Sequence, residues 1–107
     1  MMKSANDDSA HTGLAYVDAI CLSDVDTVAT VLRPVAAGEM LRVRCPAQLR
    51  SIRAVEAIPF CHKVSLVALA DGATVFKYGH GIGRTLAAIG PGQHVHIHNM
   101  RSNRAQK

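Results

Sequence analysis

"VAAGEML" (residues 35–41), "LADGATV" (69–75) and "IGPGQHV" (89–95) share one pattern: an apolar residue, two residues, glycine, two residues, an apolar residue. Glycine takes positive φ without a Cβ clash, so this spacing describes a strand end, a tight turn and a new strand that starts on the buried face. Pro91 ahead of Gly92 suits the same turn. The segments leading in, "TVATVLRP", "KVSLVAL" and "IGRTLAAI", are short and rich in Val, Ile, Leu and Thr, as strands bounded by turns are. "SLVALA" is also compatible with a helical turn, and the run is too short for periodicity to decide. Residues 46–57, "PAQLRSIRAVEA", are the expected exception: Leu49, Ile52 and Val55 at a spacing of three behind Pro46 suit a short helix or a long connection. The expected fold is all-β, a compact curled sheet with at most one short helix and no repeated crossover helices.

Composition narrows the function classes. A chain of 107 residues with 49% hydrophobic and 19% charged residues is one folded domain rather than a disordered one. Two Tyr, two Phe and no Trp leave little for stacking on bases. The net charge of +4 is scattered singly from Arg33 to Arg84 and clusters only in "RSNRAQK", with no nucleic-acid motif beside it. A small anionic substrate or an acidic partner fits that charge equally well, and nucleic acid is not an expected partner.

Cys21, Cys45 and Cys61 are odd in number and lack CxxC spacing, so they read as reduced thiols rather than a disulfide framework or zinc knuckle. The polar opening has no signal-peptide core, and no apolar run reaches the length of a membrane span. A soluble, cytoplasmic chain with no membrane partner is expected. Residues 1–13 read as a flexible polar tail, 14–100 as the folded domain and 101–107 as a basic tail.

Chemistry concentrates in "GQHVHIHNM", Gly92 to Met100. Read as a strand, it places His94, His96 and His98 on one face and Val95 and Ile97 on the other. Three imidazoles can ligate a divalent metal, hold an anion when protonated, or simply face water. Side chains two residues apart on a strand are about 6–7 Å apart, which lets His94 and His96 converge on one metal and makes a third ligand harder. His62 and Lys63 follow Pro59-Phe60-Cys61, a turn, where they can face an anion. Lys77 and Tyr78 before Gly79, and Arg84 after "GIG", can do the same, although glycine there also serves the turn alone. Cys61 is not expected as a nucleophile, because adjacent strand residues such as His62 point away from it. The acidic "NDD" and "SDVD" stretches read as tail and turn chemistry.

Three ordered segments, "IPFCHKVSL" (58–66), "KYGHGIGR" (77–84) and "GQHVHIHN" (92–99), with "DTVATVLRPVAAGE" (26–39) upstream, resemble the SAF-type domain of altronate and galactarate dehydratases. In relatives such as sulfolactate sulfo-lyase that domain is a separate small subunit. The resemblance implies a β-clip fold and a part in a lyase that removes water, or sulfite, from an acidic sugar or hydroxy acid. It also implies a divalent metal, iron or manganese, in the assembled enzyme and a separate large catalytic subunit. On this resemblance His62, Lys63, Lys77, Arg84, His94, His96, His98 and Asn99 border the substrate, with His94 and His96 as the metal candidates. A non-catalytic sugar-acid or metal-binding module, acting alone or as a homo-oligomer, is the alternative. Three positions depart from the family pattern: Cys61 replaces the usual glycine, Thr27 a frequent asparagine, and Met100 the usual valine.

Overall fold

A computed structural model of the chain describes residues 17–103. Among the described residues every regular element is a strand: β1 (Ala19–Ile20), β2 (Val28–Val31), β3 (Met40–Arg44), β4 (Leu49–Arg53), β5 (Lys63–Ser65), β6 (Thr74–Lys77), β7 (His80–Thr85), β8 (His94–Val95) and β9 (Met100–Ser102). They form a six-stranded sheet in the order β4-β3-β1-β2-β5-β8 and a three-stranded sheet in the order β9-β7-β6. Only β1 and β3 run parallel; the other pairs are antiparallel.

The three glycine stretches fold alike. Gly38, Gly72 and Gly92 have φ of 90°, 79° and 84°. In each, the N–H after the glycine donates to the carbonyl three residues back: Glu39 to Ala36, Ala73 to Ala70 and Gln93 to Gly90. That is the type II turn the spacing predicts. Each turn is then clipped to a distant strand end by a reciprocal pair of bonds. Gly38 N–H donates to Ala54 and Ala54 N–H to Glu39; Gly72 donates to Thr85 and Thr85 to Ala73; Gly92 donates to Ser65 and Ser65 to Gln93. The three clip partners, Ala54, Ser65 and Thr85, are all small and buried. The apolar ends of the pattern, Val35 with Leu41, Leu69 with Val75, and Ile89 with Val95, are all core residues.

Two clusters make up that core. Ala19, Val31, Leu41, Val43, Ile58 and Val64 belong to the first, and Val28, Leu69, Val75, Ile89, Val95 and Met100 to the second, with Val67 packed against both. The sheets are also pinned by one buried acid. Asp26 accepts backbone N–H bonds from Leu22, Ser23, Tyr78 and Gly79. Tyr78 and Gly79 both have positive φ, 56° and 82°, as a two-residue type I′ hairpin requires. The carboxylate therefore fixes the β6–β7 hairpin to the loop after β1, which is the turn role expected for "SDVD". Thr27 adds its hydroxyl as acceptor for Phe76 N–H.

Two expectations are corrected. Residues 46–57 form neither a helix nor a long connection: Leu49–Arg53 is strand β4, paired with β3 from Met40↔Arg53 to Arg44↔Leu49. The apolar triplet is no buried face, since Leu49 and Val55 are about half exposed, at 49% and 57%, while the unremarked Ala54 is fully buried. A tight turn closed by Cys45 N–H to the Gln48 carbonyl sends the chain straight back along β3. At the C-terminal end, β9 carries Arg101 and Ser102 into the smaller sheet, paired with Arg84 and Gly83. The expected polar tail and residues 104–107 of the basic one lie outside the described residues. Among the described residues no helix is long and apolar enough to cross a membrane.

Candidate functional site

His62 enters the site from a turn that runs against its residue type. His62 N–H donates to the Pro59 carbonyl, and Cys61 sits in the left-handed region at φ 71°. Glycine at this position would take that conformation freely, whereas an L side chain pays for it. The following strand, β5, pairs with β8 through Lys63↔Val95 and Val64↔His94. Continuing that register brings His62 opposite His96.

Only half of the histidine stretch is strand. β8 ends at Val95, and Asn99 takes over the ladder's hydrogen bonds: its Oδ1 accepts from His96 N–H, its Nδ2 donates to the His94 carbonyl, and its own N–H donates to the His96 carbonyl. Residues 96–99 thus form a side-chain-closed turn. Val95 is buried as expected, but Ile97 is 77% exposed at the tip, so the two do not share a buried face.

That turn gathers the imidazoles. His62 Nδ1 lies 2.8 Å from His94 Nε2, and the rings of His62 and His96 stack at 3.8 Å with 16° between their planes. One nitrogen from each of His62, His94 and His96 can be chosen so that all lie within 4.8 Å of one another. His96 Nδ1 is buried and has no hydrogen-bond partner, which is costly for a polar atom unless something else binds it. His98 is exposed, with its ring tilted 40° against His94 at 5.0 Å.

Two of these imidazoles and the neighbouring lysine are disfavoured in their charged forms. Burial pushes the His94 imidazole below its ordinary range, with His98 and His62 adding repulsion and Glu56 partly offsetting them. His96 is lowered by desolvation first, then by His62, Lys63 and His98. The Lys63 ammonium is likewise lowered, by burial and then by Lys77. Neutral imidazole is the form that ligates metals.

A cavity of about 550 Å³ opens beside His96, lined by Lys63 and Lys77 together with Ile82, Met100 and Ser102. The fold therefore brings His62, Lys63, Lys77, His94 and His96 into one neighbourhood. Asn99 shapes it from beneath, buried at 7% exposure. Arg84 lies elsewhere: its guanidinium donates to the Gly72 carbonyl at the second turn. Sequence reasoning missed the convergence of His62 with His94 and His96, and missed Glu56, whose carboxylate accepts the His94 N–H. The spacing of residues 94–98 carries no signal for either. The close-approach meaning of a glycine-preferring position at Cys61 was the available hint for His62.

Residues 17–103 match the profile of the altronate/galactarate dehydratase SAF domain. The chain is 40% identical over 76 residues to the (2R)-sulfolactate sulfo-lyase subunit alpha of Chromohalobacter salexigens, covering 69% of this chain and 81% of that protein. It is 38% identical over 79 residues to the altronate dehydratase of Escherichia coli, covering 74% of this chain but only 15% of that much longer protein. A second sulfolactate sulfo-lyase subunit alpha, from Paracoccus pantotrophus, is 47% identical over 47 residues, covering 44% of this chain and 70% of that protein.

Proposed function

The chain belongs to the SAF-domain family of altronate and galactarate dehydratases, and from that membership we propose that it is the small subunit of a cytoplasmic lyase. Its substrate is an acidic sugar or hydroxy acid, the reaction a hydro-lyase elimination, and the main catalytic portion lies on a separate large subunit. The observation that carries this reading is the His62–His94–His96 cluster beside a cavity lined by His96, Lys63 and Lys77. Elimination next to a carboxylate needs a base for the adjacent proton, an acid or electrophile for the departing group, and positive charge on the carboxylate. This chain offers the charge, through Lys63 and Lys77, and a donor set for an electrophile. The proton-abstracting base is assigned to the large subunit.

The three imidazoles suit a divalent metal, supported by the orphaned His96 Nδ1 and the lowered protonation of His94 and His96. An all-nitrogen donor set favours iron over manganese, which prefers oxygen ligands. Bound there, such an ion would supply Lewis acidity to a hydroxyl or carboxylate oxygen. Asn99 orients the loop that holds His94 and His96, and Glu56 holds the His94 backbone, so both serve as positioning residues. The three cysteines are unpaired, which fits a reducing compartment.

A sulfolactate sulfo-lyase small subunit is the second reading, supported by the 40% identity across 81% of one such subunit. One assay separates the two. The chain and its large subunit are purified apart and mixed, then assayed on altronate, galactarate and sulfolactate. Turnover only in the mixture supports the subunit assignment, and the acid that turns over chooses between water and sulfite as leaving group. Robust turnover by the chain alone, or tight acid binding with no turnover in any mixture, overturns it in favour of a self-sufficient enzyme or a binding module.

A further inference from the structure

The six-stranded sheet ends on β4, and that edge is open. In the β3–β4 hairpin Cys45 N–H donates to Gln48 and Ala54 N–H to Glu39, at the two ends of a register that pairs Leu41 with Ile52 and Val43 with Arg50. Antiparallel bonding alternates along a strand, so Arg50 and Ile52 bond to β3 while Leu49 and Ser51 turn their N–H and C=O groups outward. Among the described residues nothing pairs with those outward groups. An unpaired row of this kind is a template for another strand.

Charge says what kind of strand. Residues 40–55 carry Arg42, Arg44, Arg50 and Arg53 and no acidic residue. Asp18 and Glu39, which border β3, are both paired with Arg33. Arg50 and Arg53 donate to the carbonyls of Leu66 and Gly38 rather than to carboxylates. Arg44 lines two cavities, of about 280 and 310 Å³, and its Nε is buried without a hydrogen-bond partner. That is costly unless an acceptor arrives from outside, and a carboxylate is the strongest one available. The register sets Arg42, Arg44 and Arg53 on one face with Met40 and Leu49, both about half exposed. A second copy of the chain would bring four more arginines against these, and a nucleic acid has no backbone amides to extend the ladder. The edge also leads to the histidines. Beyond Arg53, Val55 N–H donates to the Gly92 carbonyl and the Glu56 carboxylate accepts His94 N–H.

We infer that the β4 edge is where the large subunit docks, by adding an acidic strand beside Leu49–Ser51 and placing a carboxylate on Arg44. This rests on the two-subunit reading and gives it a contact surface. Alternate side chains of the added strand share the face of Arg42, Arg44 and Arg53, so Asp or Glu is required there, with an apolar residue over Met40 or Leu49.

The test is hydrogen exchange at the Leu49 and Ser51 amides of the full-length chain, free and mixed with the separately purified large subunit, with affinity read by calorimetry. Both amides should exchange rapidly in the free chain and slow by about tenfold or more in the complex. Ser51→Pro removes an outward donor at an edge that tolerates proline, and should weaken the complex about tenfold or more. Arg44→Gln should do the same without touching the backbone, and should lessen the salt dependence of binding. Arg84→Gln, which removes a like charge at the second turn, should leave the affinity unchanged. A complex that turns over acid with both amides unprotected, or an affinity that survives Ser51→Pro and Arg44→Gln, overturns the docking surface and keeps the lyase. Protection on mixing with no turnover of any acid overturns the lyase and keeps the docking surface. Failure of the two chains to associate overturns both. Amides already slow in the free chain, or protected by a dimer of the chain or by nucleic acid but not by the large subunit, give the edge to another occupant and overturn the proposal.

Discussion

The first and third glycine turns are built alike and do different things. Both are type II turns with a positive-φ glycine, Gly38 and Gly92, and both are clipped to a small buried residue of a distant strand. After Gly38 the chain continues as the five-residue strand β3, and the residue equivalent to His94 is the exposed Met40. After Gly92 the strand stops at Val95, and Asn99 folds residues 96–99 back over it. The same local code sets the scaffold in both places. What makes the third copy a candidate site is its pairing with β5, whose register sets His96 opposite His62, while Asn99 closes residues 96–99 with side-chain bonds in place of further ladder bonds.

The turns also differ in how tightly they are packed, and this gives the largest predicted effect. A Cβ on Gly92 would run into the Arg53 carbonyl, whereas a Cβ on Gly38 meets nothing within 4 Å. Gly38→Ala should cost only the positive-φ strain, about 1 kcal/mol. Gly92→Ala adds a backbone collision and should cost about 3 kcal/mol or more, enough to unfold a small domain. Urea unfolding of the two variants measures the gap, and equal losses would break the distinction.

Asn99→Ala strips the His96 N–H and the His94 carbonyl of their partners. The expected loss is about 1–3 kcal/mol of stability, with about a 10–100-fold loss in metal affinity if the loop orients the ligands. Asn99→Asp, which keeps the acceptor but not the donor, should fall between. A stability loss with metal affinity untouched would reduce Asn99 to scaffold.

Cys61→Gly should raise stability by about 1 kcal/mol or less, because glycine relieves the left-handed strain at φ 71° although it also frees the unfolded chain. Unfolding midpoints of Cys61→Gly and Cys61→Ala decide this; alanine should bring no gain.

The smallest effect is on pH. His94 and His96 are lowered in the folded chain, so between their folded values and about 6.5 the unfolded chain binds more protons. Stability is therefore unaffected above that range and falls as pH drops below about 6.5. His94→Gln should flatten the fall in a melting series from pH 7.5 to 5 (roughly the span of histidine titration). A wild-type domain that gains stability on acidification would contradict the sign.

Much of the scaffold was legible because glycine turns are local: the positive φ of Gly38, Gly72 and Gly92 follows from seven-residue patterns alone. The strand at Leu49–Arg53 was not, because its pairing with β3 is a tertiary matter and its apolar spacing imitates a helix. The site was half legible. Alternation identified His94 and His96, but that same alternation wrongly extended the strand to Ile97, since the competing hydrogen bonds come from Asn99. The approach of His62, 32 residues away in sequence from His94, depends on β5 pairing with β8. Arg84 was drawn in by its glycine-rich neighbours and instead braces the Gly72 turn.

The most direct test of the central claim, that His62, His94 and His96 act as one metal-holding unit, is anaerobic equilibrium dialysis of iron(II) against the full-length chain and its single histidine-to-alanine variants. Equimolar binding by the wild type is expected. A loss of about tenfold or more is expected for each of His62→Ala, His94→Ala and His96→Ala, and little change for His98→Ala. Binding that is absent in the wild type, or that falls with His98→Ala while surviving His62→Ala, would contradict it.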